Sequence, residues 1–267
     1  MFEITFAQKT CVFIMSLFLF VGCEPSEIDV EDEDKSENLT SSSELFQESI
    51  KSCSPTVNFS NLLVETSWIS MDKGDREEFG ACGVDDEIWM DKYNDGRFML
   101  KCLAADGHRT ELKEGVGYES NLKQYRKMVF TGKFSNLPNH GVTIAQIHNR
   151  AQGIKRPWLR LYIDSDRKFK IKSTETTPNE AKSTYTTYEG MLYTQNTDVT
   201  ITIWTGIAGQ EKAKIRIDYN GMRFQQNLVP SVAWENFSEY FYLKAGVYTE
   251  GEDKEAKVTY SKFDIIH

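Results

Sequence analysis

The sequence predicts an all-β domain, a sandwich or a barrel. Three observations carry this. Nine segments between residues 97 and 266 alternate apolar and polar residues at period two, as half-buried strands do. Turn signals separate them, the strongest being Asn220-Gly221. The chain shows no internal repeat and no long amphipathic helix.

In chain order the segments are RFMLKCLA (97–104), KMVFTGKF (127–134), GVTIAQIH (141–148), WLRLYID (158–164) and KFKIKST (168–174). Then follow VTITIWTG (199–206), AKIRIDYNGMRFQQNL (213–228), EYFYLKAGVY (239–248) and AKVTYSKFDII (256–266). All are rich in the β-branched and aromatic residues that suit a pleated surface. Residues 213–228 fold back on themselves at Asn220-Gly221. Short helical pieces are expected near 59–66 and 118–124. DKYNDG (91–96) reads as a turn, since Tyr93 occupies a position where a calcium loop needs an oxygen ligand.

The region before these strands is of another kind. The 267-residue chain carries a net charge of −9. Residues 24–48 hold ten acids against one lysine, whereas residues 49–267 hold 29 acids and 29 bases. The acidity therefore lies in a Ser-rich tether too poor in apolar residues to offset its ordering entropy. Ahead of it, CVFIMSLFLFVG (11–22) is too short to span a bilayer and reads as a signal-peptide core. LFVGC resembles a bacterial lipobox, which makes Cys23 the lipidation site. The organisation expected is a signal peptide over 1–22, a lipidated Cys23 with its tether over 23–50, and the folded domain over 51–267. That implies an exported lipoprotein of the bacterial cell envelope, at the outer membrane surface or secreted. It touches membrane only through the lipid and works as a monomer. The neutral domain gives nucleic acid no basic surface. Of Cys53, Cys82 and Cys102, the pairing Cys82–Cys102 is expected, since both flank predicted strands. No cysteine or histidine spacing suggests a metal.

Several strands share an unusual outer face. In HRTELKE (108–114), Arg109, Glu111 and Lys113 fall together. In AQIHNR (145–150), Gln146, His148 and Arg150 do. In WLRLYI, Trp158, Arg160 and Tyr162 oppose Leu159, Leu161 and Ile163. In YFYLKAGVYTE (240–250), Tyr242, Lys244, Gly246 and Tyr248 oppose Phe241, Leu243, Ala245 and Val247. Each set alone fits a solvated strand. Side by side they make a cationic, aromatic-lined groove suited to an anionic sugar chain, with rings on the pyranose faces and Arg, Lys and Gln on carboxylates.

RTELK, QIH and YLKAGVYTE, in that order, resemble the motifs of alginate lyases of polysaccharide lyase family seven. That family has Arg at the place of Lys113, Phe at that of Leu243 and Gln at that of Glu250. The resemblance spans residues 109–250 and implies a jelly-roll sandwich with a concave groove. It implies a catalytic set of Arg109, Gln146, His148 and Tyr248, with Glu111, Lys113 and Lys244 in the groove beside Arg150, Trp158, Arg160, Tyr162 and Tyr242. The implied reaction is β-elimination of a uronate chain, with the C5 proton removed and O4 expelled. It needs no cofactor. Arg109 and Gln146 would neutralise the carboxylate, since positioned donors meeting developing charge are usually the largest catalytic effect. A phenol becomes a usable base where cations stabilise its phenolate, so Lys244 and Arg109 would serve Tyr248. In mannuronate, H5 and O4 are syn and Tyr248 suffices. In guluronate they are anti, so His148 is base and Tyr248 acid. Within the family, Ile in Q-I-H goes with guluronate-containing blocks, which Ile147 implies here. The alternatives are a lyase for another uronate polymer such as glucuronan, and a non-catalytic glycan-binding surface lipoprotein.

Overall fold

Alternation along a strand decides which side chains enter a core, and here it builds two layers. The computed structural model describes residues 57–68, 76–176, 183–249, 251 and 253–267. The predicted signal peptide, Cys23, the tether, Cys53 and Glu250 lie outside the described residues. The strands are β1 (Leu62–Thr66), β2 (Glu77–Gly80), β3 (Met90–Lys92), β4 (Phe98–Lys101), β5 (Arg109–Glu114), β6 (Arg126–Ser135), β7 (Val142–Asn149) and β8 (Leu159–Ile163). They continue with β9 (Lys168–Thr174), β10 (Tyr185–Leu192), β11 (Asp198–Thr205), β12 (Ala213–Tyr219), β13 (Met222–Leu228), β14 (Phe241–Thr249) and β15 (Lys257–Ile266).

Two antiparallel sheets form the sandwich. One has eight strands in the order β10-β9-β8-β7-β14-β5-β1-β2, the other seven in the order β13-β12-β11-β6-β15-β4-β3. Their inward residues make one core: Val64, Leu112, Ile147, Leu161 and Leu243 from the first sheet, Phe130, Ile201, Ile215, Val258 and Phe263 from the second. Each such side chain removed from water contributes about 1.5–3 kcal/mol. The aromatic members interlock, with Phe130, Phe98 and Phe263 all within ring-contact distance of Tyr260.

All nine predicted segments are strands, and β12 and β13 turn at Asn220 (φ 49°) and Gly221 (φ 74°), the left-handed pair that a tight hairpin needs. The two helical expectations fail. Residues 62–66 are β1, and the 118–124 stretch is turn, held by a bridge from Ser120 to Phe241. The longest helical piece among the described residues is a 3-10 segment over Val232–Tyr240. Tyr240 ends that segment, so the strand begins at Phe241. The cysteine pairing also differs. Cys102 follows β4 with its side chain in the core and is free, while Cys82 is disulfide-bonded.

Candidate active site

β7, β14 and β5 are neighbours at the middle of the eight-stranded sheet. Cross-strand register pairs Lys113 with Lys244, Lys244 with Gln146, Gln146 with Arg160, and Arg160 with Lys172. One rung across five strands therefore carries four cations and an amide. Farther along β14, Gly246 stands opposite Glu111 and Tyr248 opposite Arg109. In the other direction Tyr242 stands opposite His148. Tyr248 and His148 thus lie on opposite sides of the Lys244–Gln146 rung.

Like charges side by side on a sheet repel, so the rung needs counter-charge. Two buried carboxylates supply it. Glu111 accepts from Lys244 Nζ at 2.7 Å and from Gln146 Nε2 at 2.6 Å. Glu65, on β1, accepts from Lys113 Nζ at 2.8 Å and from Arg109 Nη1 at 3.3 Å, with Lys244 Nζ at 3.6 Å. Burial alone would raise the Glu65 carboxyl, but Lys244, Lys113 and Arg109 outweigh it and hold the group well below the usual carboxylate range. Lys113 also pairs with Glu78 on β2. Glu65 was not singled out in the sequence. Its signal is a lone carboxylate inside the apolar LLVET, which a half-buried strand tolerates only with a partner.

Glu111, Lys113 and Lys244 accordingly form a paired floor beneath the surface, all buried. Their work is to orient. The bond from Gln146 to Glu111 fixes the orientation of the amide. Arg109 lays its guanidinium carbon 4.3 Å from the centre of the Tyr248 ring, and Arg160 lies 5.7 Å from it on the far side of β7. Arg160 also donates to Thr143 Oγ1 at 2.6 and 3.2 Å. The cations that stack on Tyr248 are therefore arginines, while Lys244 is taken up by Glu111 and Glu65.

At the other side of the rung, His148 lies 5.5 Å from Tyr242, ring to ring, and the Arg150 guanidinium covers Tyr242 at 4.4 Å. Burial, with Lys244 adding to it, pulls the His148 imidazole down to about 3, so the ring is neutral near pH 7. Its Nδ1 lies 3.1 Å from the Asn149 carbonyl and 2.8 Å from the Asn149 amide nitrogen. The Asn149 N–H donates to Nδ1, which places the ring hydrogen on Nε2; in the other tautomer Nδ1–H would donate to the carbonyl and free the Nε2 lone pair. Burial pushes the Tyr242 phenol up to about 12, which suits a packing partner rather than a proton carrier.

Two backbone features shape this face. Register shifts interrupt β14–β7 between Ala245 and Tyr248, and β7–β8 between Thr143 and Ala145. Such bulges re-aim side chains, and here Ile144 and Ala145 both enter the core while Thr143 and Gln146 stay on the outer face. Gly246 sits in this irregular stretch. A Cβ there would come within 2.2 Å of the Thr110 carbonyl oxygen, so the glycine is required by the close approach of β5.

Trp158 is not in the groove. It precedes β8, is fully buried, and packs edge-on against Phe241 at 5.8 Å. Tyr162 is nearly buried beneath Lys172, whose Nζ is 4.7 Å from the ring centre.

A β-sandwich with one sheet face of buried ion pairs, stacked arginines, a neutral histidine and tyrosines is a carbohydrate-active protein built for an acidic glycan. Residues 64–267 match the family model described as alginate lyase, and the chain belongs to that family. It is an alginate-cleaving polysaccharide lyase. No curated protein sequence matches it. Among solved structures it is similar to alginate lyase A1-II′, a member of polysaccharide lyase family 7, with a TM-score of 0.59 at 14% identity over 78% of this chain and 95% of that one. The alginate lyase from Klebsiella pneumoniae gives 0.60 at 15% identity over 79% and 97%. Alginate lyase AlyC3, also solved with dimannuronate, gives 0.60 at 16% identity over 78% and 90%. These likenesses bear out the jelly-roll sandwich.

Proposed function

We propose that this lyase acts on guluronate-containing blocks of alginate, with Arg109, Gln146, His148 and Tyr248 as its catalytic groups. The observation that carries the reading is the placement of Tyr248 and neutral His148 on opposite sides of the Lys244–Gln146 rung. A uronate carboxylate over that rung meets Arg109 and the amide of Gln146. Their hydrogen bonds lower the energy of the dianionic intermediate formed when C5 loses its proton. In guluronate, His148 takes the C5 proton from one side through Nε2, in the tautomer whose hydrogen has moved to Nδ1 and is accepted by the Asn149 carbonyl. The C5 electron pair forms the C4–C5 double bond, the C4–O4 bond breaks, and the Tyr248 hydroxyl protonates O4 from the other side. Ile147 supports the same preference. It faces the core beneath the site, so it would act by seating Gln146 and His148. The sequence before the domain supports an exported, lipid-anchored protein, with Cys23 as the attachment point.

The test is to supply purified domain with polymannuronate, polyguluronate and mixed alginate and to follow ultraviolet absorbance of the unsaturated uronate. A faster rise on polyguluronate is expected. Equal or slower cleavage of polyguluronate than of polymannuronate removes the preference, and no rise on any of the three removes the activity.

A further inference from the structure

The central rung is unevenly neutralised. At its β5–β14 end, Lys113 and Lys244 are held by Glu65, Glu78 and Glu111. At its β9 end, Lys172 makes no ion pair with a carboxylate among the described residues. Its neighbour Lys170, on the same face, is taken by Asp164 at 2.5 Å and Glu189 at 3.4 Å. Lys172 Nζ instead sits 4.7 Å from the Tyr162 ring centre and 5.9 Å from that of Tyr185. Arg156 donates to the Tyr185 hydroxyl at 2.7 Å and holds that ring beside the lysine. Burial and the facing charge of Arg160 pull the Lys172 ammonium below its ordinary value. A half-buried cation between two tyrosine faces and cross-strand from Arg160 makes no ion pair among the described residues, and the aromatic walls fit the C–H faces of a sugar.

Resting on the lyase reading above, we propose that Lys172, framed by Tyr162 and Tyr185, binds the carboxylate of a uronate several rings from the cleavage point. β9 lies three strands from β14, roughly 14 Å across the sheet, beyond the span of the sugars at the catalytic rung. The subsite extends the groove toward β10, whereas on the β1–β2 side Lys113 is already paired with Glu65 and Glu78. Long chains are therefore held mainly on the β8–β10 side of the bond that breaks.

The experiment measures kcat/KM against oligomer length, from trimer to polymer, for the wild type and for Lys172→Met and Lys172→Arg. Lys172→Met should lower kcat/KM about tenfold on polymer, the worth of one charge-assisted hydrogen bond. The loss should shrink as the oligomer shortens, and Lys172→Arg should restore most of it. High salt should flatten the length dependence of the wild type in the same way. A loss equal at all lengths, or none, overturns the subsite while leaving the lyase reading standing. A wild type that cleaves no uronate oligomer overturns the lyase reading itself. Thermal melting of Lys172→Met confirms that the comparison is between folded enzymes.

Discussion

Arg109 and Tyr248 are cross-strand partners on β5 and β14, and the guanidinium carbon stands 4.3 Å from the centre of the phenol ring. The same cation that would bind the substrate carboxylate therefore also faces the side chain that would move the proton. Substrate binding and acid–base chemistry share one charge.

Tyr248→Phe keeps the ring and the stacking but removes the hydroxyl. Cleavage should fall by on the order of 100-fold to 10,000-fold, while affinity for alginate stays within a few-fold. Product absorbance and calorimetric titration measure the two. Full activity in the variant refutes the role.

His148→Gln should separate the two epimers. If His148 is the base for guluronate alone, polyguluronate cleavage falls by about 100-fold or more and polymannuronate cleavage much less. Because the wild-type imidazole titrates near 3, its kcat/KM should show no inflection at the ordinary histidine value. The sign for stability follows from the same depression. The unfolded imidazole binds its proton below about 6.5 and the folded one does not, so stability is lost as pH falls from there toward 3. Melting temperatures from pH 7 to 4 should fall less steeply in His148→Gln.

Glu65→Gln removes the negative charge shared by Lys113, Arg109 and Lys244. Breaking a buried pair on one side costs about 3–5 kcal/mol, read as a lower denaturant midpoint. The wild-type carboxyl is depressed, so its contribution is full above the unfolded value near 4.5 and is lost as pH falls below it. The variant should lack that part of the acid sensitivity. An unchanged midpoint would show the carboxylate to be dispensable.

Gly246→Ala forces a methyl onto the Thr110 carbonyl. The cost is about 3 kcal/mol or more, since backbone rather than a flexible side chain must give way. A stable variant of normal activity would contradict the close approach of β14 and β5.

The sequence made faces legible and left depth unread. Alternation placed Arg109, Glu111 and Lys113 on one side of β5, and Tyr242, Lys244 and Tyr248 on one side of β14. It could not show that Glu111 and Lys244 bond each other, because their partnership depends on which strands become neighbours. Glu65 escaped for the same reason: its hydrogen-bond partners, Arg109 and Lys113, are 44 and 48 residues away. Trp158 misled because period two was carried one residue past the start of β8, where the chain has already turned inward. Leu62–Thr66 misled because an apolar run without alternation does not distinguish strand from helix.

The position of β14 has a consequence for how the molecule comes to life. β5 and β7 carry Arg109, Gln146 and His148 early in the chain, but in the sheet they are kept apart by a strand from residues 241–249. Until that strand has been synthesised and threaded between them, β5 and β7 share no neighbour in the sheet, and Glu111 has no lysine from β14 to hold. A nascent chain therefore has no working site before its penultimate strand arrives. Competence appears in one late step, when insertion of β14 completes the sheet and the reaction centre together.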